Sequence, residues 1–259
     1  MLPSSERADA FRSCILQTEE NFFEELLASV RFESVGKGRQ GAVLVKLDEA
    51  GRIPIVRTTT RYSAPAKRFR PVHEQLARQV QDRSSLAVGF NNALIEVYTS
   101  AYTIMGSHSD QALDLADGSF IALFSCYRHP ELATLPRKLV VEPKEPGGDA
   151  FEIPLTHNSV VTFSTDTNRR FKHRIILDAS PKSPENEWLG ITFRTSKTFV
   201  QLRGGQTCFP DDTHLTLADA EQRREFYQLR RRENEEAGFI YPRIPYTISE
   251  SDLMPPEPW

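Results

Sequence analysis

The sequence predicts a mainly β protein with flanking helices (α+β). Short segments rich in β-branched residues recur between about residues 91 and 200, separated by Pro, Gly and Asn turns, and such spacing is typical of antiparallel sandwiches and barrels. Helical patterns precede and follow this β-rich core. With 39% hydrophobic and 26% charged residues, the 259-residue chain is globular and long enough to bury a sizeable core.

The elements before the core are predicted from local patterns. Residues 1–35 are expected to form an N-terminal helix, because Phe22, Leu26 and Val30 make one apolar stripe. The segments GAVLVKL and IPIVRTTTRY, rich in β-branched residues, are predicted strands. The segment PVHEQLARQVQDR is predicted to be a short helix opened by Pro71.

The core and the C-terminal region complete a predicted single domain over residues 1–259. Strands are expected in FNNALIEVY, SFIALFSCY, RKLVVEP, AFEIPLTHNSVVTFST, KHRIILDAS and LGITFRTSKTFVQL. Residues 214–259 are expected to hold a charged helix and a proline-rich extended tail. We expect this helix to end at Gly238, to be exposed and to be stabilised by i,i+4 ion pairs such as that of Glu225 with one of the arginines 230–232, and not to form a binding site.

Charge and cysteine usage narrow the class of protein. A net charge of −3 and a pI of about 6.1 exclude a globally basic nucleic-acid binder but not a local basic patch. Three dispersed cysteines indicate reduced thiols. The first residues, MLPSSERADAFRSC, carry charges where a signal peptide would need an apolar run, and no apolar run is long enough for a bilayer. We therefore expect a cytoplasmic protein (or a nuclear one, in a eukaryote) without a membrane partner; the sequence leaves the oligomeric state open.

A candidate metal site begins in MGSHSDQALDL, where His108 and Asp110 are two residues apart and share a face in extended backbone. The best third ligand is His173, which opens a strand after the turn TDTNRRFK. The other histidines are placed elsewhere: His73 on a surface helix, His129 and His214 in turns, and His157 in a hairpin-like loop. Two imidazoles and one carboxylate leave three metal positions open, as in non-haem Fe(II) oxygenases, whereas zinc more often takes a tetrahedral set.

An arginine on the following strand suggests an anion site. Arg194 lies twenty-one residues after His173 and, by strand parity, shares a face with Thr192, Gly190 and Trp188. A guanidinium facing into a barrel requires an anion, since unpaired burial is unfavourable. A keto-acid carboxylate would serve, bound bidentately.

Taken in order, IPIVRTTTRY, FNNALIEVY, HSD, NSVVTFSTDTNRRFKHRI and LGITFR resemble the AlkB family of Fe(II)/2-oxoglutarate dioxygenases over well over half of the chain. The resemblance implies a double-stranded β-helix (jelly-roll) core. It also implies Fe(II) held by His108, Asp110 and His173, with 2-oxoglutarate and O₂ as co-substrates. Arg194 would grip 2-oxoglutarate, Tyr98 would hydrogen-bond it, and Thr192, on the same face as Arg194, is assigned to the same site.

Two positions depart from the family pattern. Glu96 stands where the family usually has asparagine, and Trp188 stands where it has a first arginine for the distal carboxylate of 2-oxoglutarate. Repulsion between carboxylates predicts that Glu96 is protonated or turned away. Parity turns Lys172, Arg174 and Lys197 away from the pocket, which leaves Lys182 as a possible replacement cation. Another keto acid or a remodelled co-substrate pocket remains an alternative.

The resemblance implies oxidative chemistry, in which hydroxylation of an N-methyl carbon releases formaldehyde, and it makes residues 51–90 a lid over the substrate. Eight basic residues face two acidic ones between Gly51 and Arg83, and aromatic residues among them could stack on a base. The candidate substrate-binding residues are Arg57, Arg61, Tyr62 and Gln111, and alkylated DNA or RNA is the leading partner.

Several alternatives stay open. The basic segment could be an ordinary solvated face with salt bridges. Gln111 stands where the DNA-repair members have an acidic residue that helps to hold the base, so the same oxidation could act on a protein side chain or a small metabolite. A third alternative is a non-catalytic binding barrel with a degenerate co-substrate pocket, against which the intact ligand set speaks.

Overall fold

Alternating apolar residues along the core strands build two sheets that enclose one apolar interior. The computed structural model describes residues 10–18, 20–178 and 185–258. Its strands are β1 (Phe11–Ile15), β2 (Glu33–Gly36), β3 (Arg39–Val45), β4 (Ile53–Pro54), β5 (Lys67–Arg68), β6 (Asn92–Tyr98), β7 (Phe120–Tyr127), β8 (Lys138–Pro143), β9 (Phe151–Pro154), β10 (Ser159–Ser164), β11 (Phe171–Ile176), β12 (Trp188–Arg194), β13 (Phe199–Arg203), β14 (Gln206–Cys208), β15 (Thr216–Leu217) and β16 (Tyr246–Thr247). Its helices are α1 (Phe23–Ser29), α2 (Pro71–Arg83), α3 (Thr165–Arg170) and α4 (Ala220–Glu235), with short 3₁₀ turns at Pro130–Leu132 and Glu250–Leu253.

The larger sheet has the order β1-β10-β7-β12-β6-β3-β2, with β5 paired to β3, and the smaller sheet has the order β11-β8-β9. One core cluster joins them, with Leu123 and Trp188 from the larger sheet and Val141 and Ile175 from the smaller. Every pairing in both sheets is antiparallel except that of β3 with β5. The predicted mainly β fold with a jelly-roll core and flanking helices is confirmed.

The outer face of the larger sheet is covered by α1 and α2. Leu26 of α1 and Leu76 of α2 pack in one cluster with Ile95 of β6 and Ile191 of β12. Helix α2 occupies Pro71–Arg83, as predicted from Pro71. However, His73 is fully buried and its Nε2 lies 2.8 Å from Ser29 Oγ of α1, so its placement on a surface helix face was wrong.

The N-terminal region differs from its prediction. Within residues 10–35 the structure has β1, the seven-residue helix α1 and the start of β2 in place of one helix. Residues Phe11–Ile15 pair along the edge of β10, from Phe11 opposite Phe163 to Ile15 opposite Ser159. This long-range pairing supplies the backbone hydrogen bonds that a helix would have made locally, and helical periodicity in the sequence does not report it.

Two further predictions are corrected. In IPIVRTTTRY only Ile53–Pro54 is a strand, because the next amides bond elsewhere: Arg57 N–H donates to the Asp114 carboxylate at 2.8 Å. The predicted turn TDTNRRFK contains α3, capped by Ser164 Oγ, which accepts the N–H of Thr167 at 3.0 Å.

Helix α4 ends at Glu235, three residues before Gly238. The predicted i,i+4 pairs exist for Arg231–Glu235 and Arg232–Glu236, but Glu225 accepts the Tyr246 hydroxyl instead, at 2.6 Å. The helix is not exposed all round: its buried side chains are Phe226, Leu229, Arg230 and Glu233. Across the described part of the chain, no helix combines the length and apolar character needed to cross a membrane.

Candidate metal centre and active-site cavity

The three predicted metal ligands meet where the segment before β7 touches β11. The backbones of His108 and His173 pair in both directions, with N–H···O distances of 2.9 and 2.6 Å. The Nε2 atoms of His108 and His173 lie 3.9 and 3.6 Å from Asp110 Oδ1. One ligand atom from each residue lies within 4.8 Å of the other two, so the convergence expected from the sequence is present.

The chemistry of this donor set fits a ferrous ion. Gly106 O lies 2.8 Å from His108 Nδ1 and can accept its N–H, which leaves the lone pair of Nε2 free to bind a metal ion. Removal from water, helped by His173 and Arg230, lowers the pKa of His108 to about 3, so the ring is neutral. The buried Nδ1 of His173 has no partner among the described residues. Two imidazoles and one carboxylate are the ligand set of Fe(II) sites with open positions.

The carboxylate ligand is oriented from two sides. Arg194 Nε donates to Asp110 Oδ2 at 2.8 Å. Burial alone would raise the pKa of Asp110, but Arg194 and His173 outweigh it and hold the pKa well below its ordinary value. On the backbone, the Asp110 N–H donates to Asn168 Oδ1 at 2.7 Å, and Asn168 Nδ2 donates to the Asp110 carbonyl at 2.6 Å. Asn168, on α3, therefore fixes the peptide groups on both sides of the ligand, a role that no sequence pattern indicated.

Helix α4, which was predicted to be exposed and not to form a binding site, contacts the segment that carries the metal ligands. Ser109 donates its N–H to Asn234 Oδ1 at 3.0 Å, and its carbonyl accepts from Arg230. Glu233 Oε1 accepts the Ala112 N–H at 2.7 Å. Arg230 and Asn234 also line the cavity beside the metal ligands. The signal was available in the helical spacing, since Arg230 and Glu233 continue the stripe begun by Phe226.

A cavity of about 360 Å³ opens over the three ligands. Trp188, Gly190, Thr192 and Arg194 of β12 all line it, which confirms the parity predicted for this strand. The side chains of Leu123, Leu139, Phe163 and Ile175 make its inner wall apolar. Thr192 and Arg194 thus lie where the co-substrate site was expected, while their contacts with 2-oxoglutarate remain a prediction.

Glu96 also faces the cavity, and its environment was not foreseen. It is neither exposed nor turned away: Arg39 Nε donates to Glu96 Oε1 at 2.7 Å, and the Tyr98 hydroxyl donates to Oε2 at 2.8 Å. Arg39 comes from β3, outside the motifs that carry the resemblance. Its guanidinium compensates the negative charge that the sequence had left unexplained.

Trp188 is buried, and its indole lies over Gly190. A Cβ at position 190 would come within 2.0 Å of Trp188 Cη2, so only glycine leaves room for the ring. As predicted, Lys172 and Arg174 lie outside the cavity, where both contact Glu142, and Lys197 contacts Asp117. Lys182 lies outside the described residues.

Two of the four predicted substrate-binding residues are buried away from the cavity. Arg57 is 4% exposed, with Nη2 at 2.7 Å from Asp114 Oδ1, and does not line the cavity. Tyr62 is 3% exposed and is absent from the cavity wall, so its ring offers no open face for the predicted stacking on a base. Arg61 is exposed and follows the cavity-lining Thr60. Gln111 lines the cavity at 4% exposure, and both polar atoms of its amide lack a partner among the described residues.

Residues 51–90 were expected to form a lid over the substrate. Of this segment, only Thr58, Thr59 and Thr60 line the cavity. Other basic residues of the segment are held in ion pairs: Arg52 with Asp48, Lys67 with Glu257 and Arg78 with Glu74. Phe69 is buried in the outer core. The alternative of an ordinary salt-bridged surface therefore describes these residues of the segment.

Two solved structures with similar but distant folds are that of OsALKBH1 (15% identity, TM-score 0.49, 72% of this chain and 98% of that chain) and a prolyl hydroxylase from Trichoplax adhaerens in complex with a hypoxia inducible factor oxygen degradation domain peptide fragment (11% identity, TM-score 0.45, 73% and 84%). No curated protein matches the sequence. The family model described as the 2OG-Fe(II) oxygenase superfamily matches residues 1–194. The chain therefore belongs to the 2OG-Fe(II) oxygenase superfamily and is a dioxygenase that uses Fe(II), 2-oxoglutarate and O₂.

Proposed function

We propose that this dioxygenase is AlkB-like and hydroxylates an N-alkyl carbon of an alkylated nucleobase in DNA or RNA, which results in demethylation. The observation that carries the proposal is the buried, unpartnered amide of Gln111, next in sequence to Asp110 and on the wall of the same cavity. A primary amide offers a donor and an acceptor side by side. A nucleobase edge presents the complementary pair, and its N-alkyl group supplies the C–H bond to be oxidised.

In this proposal, His108, Asp110 and His173 hold Fe(II), and Arg194 orients Asp110 and binds the keto-acid carboxylate beside it. When bound, Fe(II) and O₂ couple the conversion of 2-oxoglutarate to succinate and CO₂ with insertion of one oxygen atom into a substrate C–H bond. The hydroxymethyl group formed from an N-methyl substrate then leaves as formaldehyde, and the nitrogen regains a proton. The apolar inner wall excludes water from the reacting carbon.

Charges next to cavity-lining residues support a polyanionic substrate. Arg61 is exposed directly after Thr60. Beside the metal ligands, Lys172 and Arg174 share a single acid, Glu142, which also accepts from the cavity-lining Ser107 at 2.6 Å. Two cations against one carboxylate leave a net positive charge where a phosphate would pass.

A second candidate is the same oxidation on a protein side chain or a small metabolite. It is favoured by the burial of Arg57 and by the ion pairs that occupy the basic segment. An amide-bearing side chain or small molecule could also pair with the Gln111 amide, but it would not use the positive charge of Lys172 and Arg174.

Succinate and formaldehyde release separates the candidates. We expect a methylated oligonucleotide to stimulate both products over its unmethylated control, and we expect its affinity to fall steeply with salt. Stimulation by methylated nucleosides or peptides alone, with no salt dependence, would reject nucleic acid in favour of the second candidate.

Gln111 variants test the recognition step. Because an amide is neutral, Gln111→Ala should lower kcat/KM on neutral methylated bases about tenfold. Gln111→Glu should shift the preference toward cationic methylated bases, since a carboxylate attracts them. An unchanged preference in both variants would remove Gln111 from substrate recognition.

A further inference from the structure

The far end of the co-substrate site lacks the arginine expected at position 188, so another group must meet the distal carboxylate of 2-oxoglutarate. The cations that line the cavity, within the described ranges, are Arg39, Arg194 and Arg230. Arg194 is bonded to Asp110, and Arg230 to Ser109 and Glu233. Both therefore lie at the metal end, and Arg39 is the cavity cation that remains.

Arg39 belongs to a row of side chains across three neighbouring strands. In the sheet register, Arg39 of β3 is opposite Tyr98 of β6, and Tyr98 is opposite Trp188 of β12. The ring centroids of Tyr98 and Trp188 are 4.8 Å apart, and Arg39 Cζ lies 6.0 Å from the centroid of Tyr98. Arg194 is six residues further along β12, about 20 Å away between backbone positions at the usual strand rise, and the long side chains of Trp188 and Arg194 shorten the gap between them. The row thus marks the end of the cavity opposite the metal.

Trp188 contributes a free hydrogen-bond donor to this end. Its Nε1 is buried and has no partner within the described part of the chain. The indole lies over Gly190, on the side of Trp188 that faces Thr192 and Arg194 further along β12. Buried indole N–H groups usually have an acceptor, so an acceptor supplied by a bound molecule would complete this one.

The charge at this end also suits one carboxylate. Arg137 lies behind the row, with Cζ 5.2 Å from the Tyr98 centroid and 6.0 Å from that of Trp188. Its Nη1 and Nη2 donate to the carbonyls of Tyr102 and Thr99 at 2.7 and 2.8 Å, and no described acid pairs with it. Glu96 offsets Arg39, so two cations and one anion leave one positive charge.

We propose that the distal carboxylate of 2-oxoglutarate binds between the Trp188 indole N–H and the Arg39 guanidinium, with Arg137 providing the positive potential behind them. The proposal rests on the proposed use of this cavity by the keto acid. Such a site would select a dicarboxylate. A neutral donor on β12 and a cation on β3 would together replace the single arginine expected at position 188.

The test compares two keto acids that differ only at the far end. 2-Oxoglutarate and 2-oxopentanoate have the same five-carbon chain and the same chelating group, but only the first has a distal carboxylate. Binding is measured by calorimetry on protein loaded with Mn(II), which accepts the same ligands and replaces Fe(II) to prevent turnover. In a Trp259→Phe variant, Trp188 is the sole tryptophan, and its fluorescence should change on titration with 2-oxoglutarate.

We expect Trp188→Phe to weaken 2-oxoglutarate about ten- to a hundredfold, as for a lost hydrogen bond to a charged group, and to leave 2-oxopentanoate within about twofold. Arg39→Gln alone would leave the Glu96 carboxylate without its cation. The double variant Arg39→Gln/Glu96→Gln instead keeps a neutral hydrogen-bonding pair, and it should show the same selective loss of affinity for 2-oxoglutarate. Arg52→Gln, which removes an equally ion-paired arginine away from the cavity, should change neither affinity.

Four results would overturn the proposal. Equal loss of both keto acids in the variants, or no loss of either, places the distal carboxylate elsewhere. Equal affinity of the unaltered chain for the two keto acids removes this anchor but leaves the proposed function intact. Failure of the unaltered chain to bind either keto acid overturns the proposed function together with the anchor.

Discussion

Asn168 offers a sharp test of how the metal ligands are held, because the chain contains the same contact in two environments. Asn168 is 1% exposed and bonds the Asp110 N–H and carbonyl at 2.7 and 2.6 Å. Asn186 makes the same pair of bonds to the N–H and carbonyl of His129, at 3.1 and 2.7 Å, on an exposed loop. Truncation of each to alanine removes the same two bonds.

The expected magnitudes differ because of water. In Asn168→Ala the freed N–H and carbonyl of Asp110 stay buried, and at about 1–3 kcal/mol for each unsatisfied group the free energy of unfolding should fall by about 2–6 kcal/mol. In Asn186→Ala water replaces the amide, and the loss should stay below about 1 kcal/mol. Metal affinity should also fall about tenfold or more in Asn168→Ala, as when an outer-shell partner of a ligand is removed.

Urea unfolding of the metal-free variants, together with calorimetric Mn(II) titration, measures both quantities. The unfolding slope should match that of the unaltered chain, so that the shift in midpoint reports stability. Equal losses in the two variants, or unchanged Mn(II) affinity in Asn168→Ala, would refute the argument that this amide orients Asp110.

Three further predictions follow from the structure. His173→Ala should abolish the rise in melting temperature that Mn(II) causes in the unaltered chain; a rise of the same size would reject the proposed ligand set. Burial, helped by Arg70, lowers the pKa of His73 to about 4 from its ordinary 6.5. The stabilisation from keeping this ring neutral is therefore complete above pH 6.5, and about 3 kcal/mol of it is lost as the pH falls toward 4. Denaturation of His73→Gln at several pH values should show a correspondingly smaller loss of stability in acid. Arg57→Met leaves Asp114 buried without its partner and should lower the free energy of unfolding by about 3–5 kcal/mol, while the folded variant retains substrate affinity; a selective rise in KM would restore Arg57 to the substrate site.

The features of the candidate site that depend on residues close together in the sequence were predictable. His108 and Asp110 are two residues apart, and strand parity alone orients Trp188, Gly190, Thr192 and Arg194 toward one face. Helix α2 was likewise predictable, since Pro71 can open a helix and the apolar spacing continues to Arg83. These features depend on backbone geometry that repeats within a few residues.

The errors lie where distant partners decide. Residues Phe11–Ile15 became a strand because β10 offers an open edge, and Arg57 became structural because Asp114 is folded against it. The apolar character of the segment Phe11–Ile15 and the charge of Arg57 were recognised correctly, but the sequence did not show which residues they contact. A cation without a known partner looks available for a ligand.

The sequence by itself determined which residue types bind the metal and which side chains of each strand share a face. It also showed that Glu96 and Trp188 depart from the pattern of the family. Only the tertiary structure decided what surrounds them: Arg39 beside Glu96, Asn168 on Asp110 and Arg230 on Ser109 join residues 57, 58 and 121 positions apart. The physical reason is that hydrogen bonds and ion pairs act over a few ångströms in space, whereas sequence patterns record only the periodic geometry of neighbouring residues.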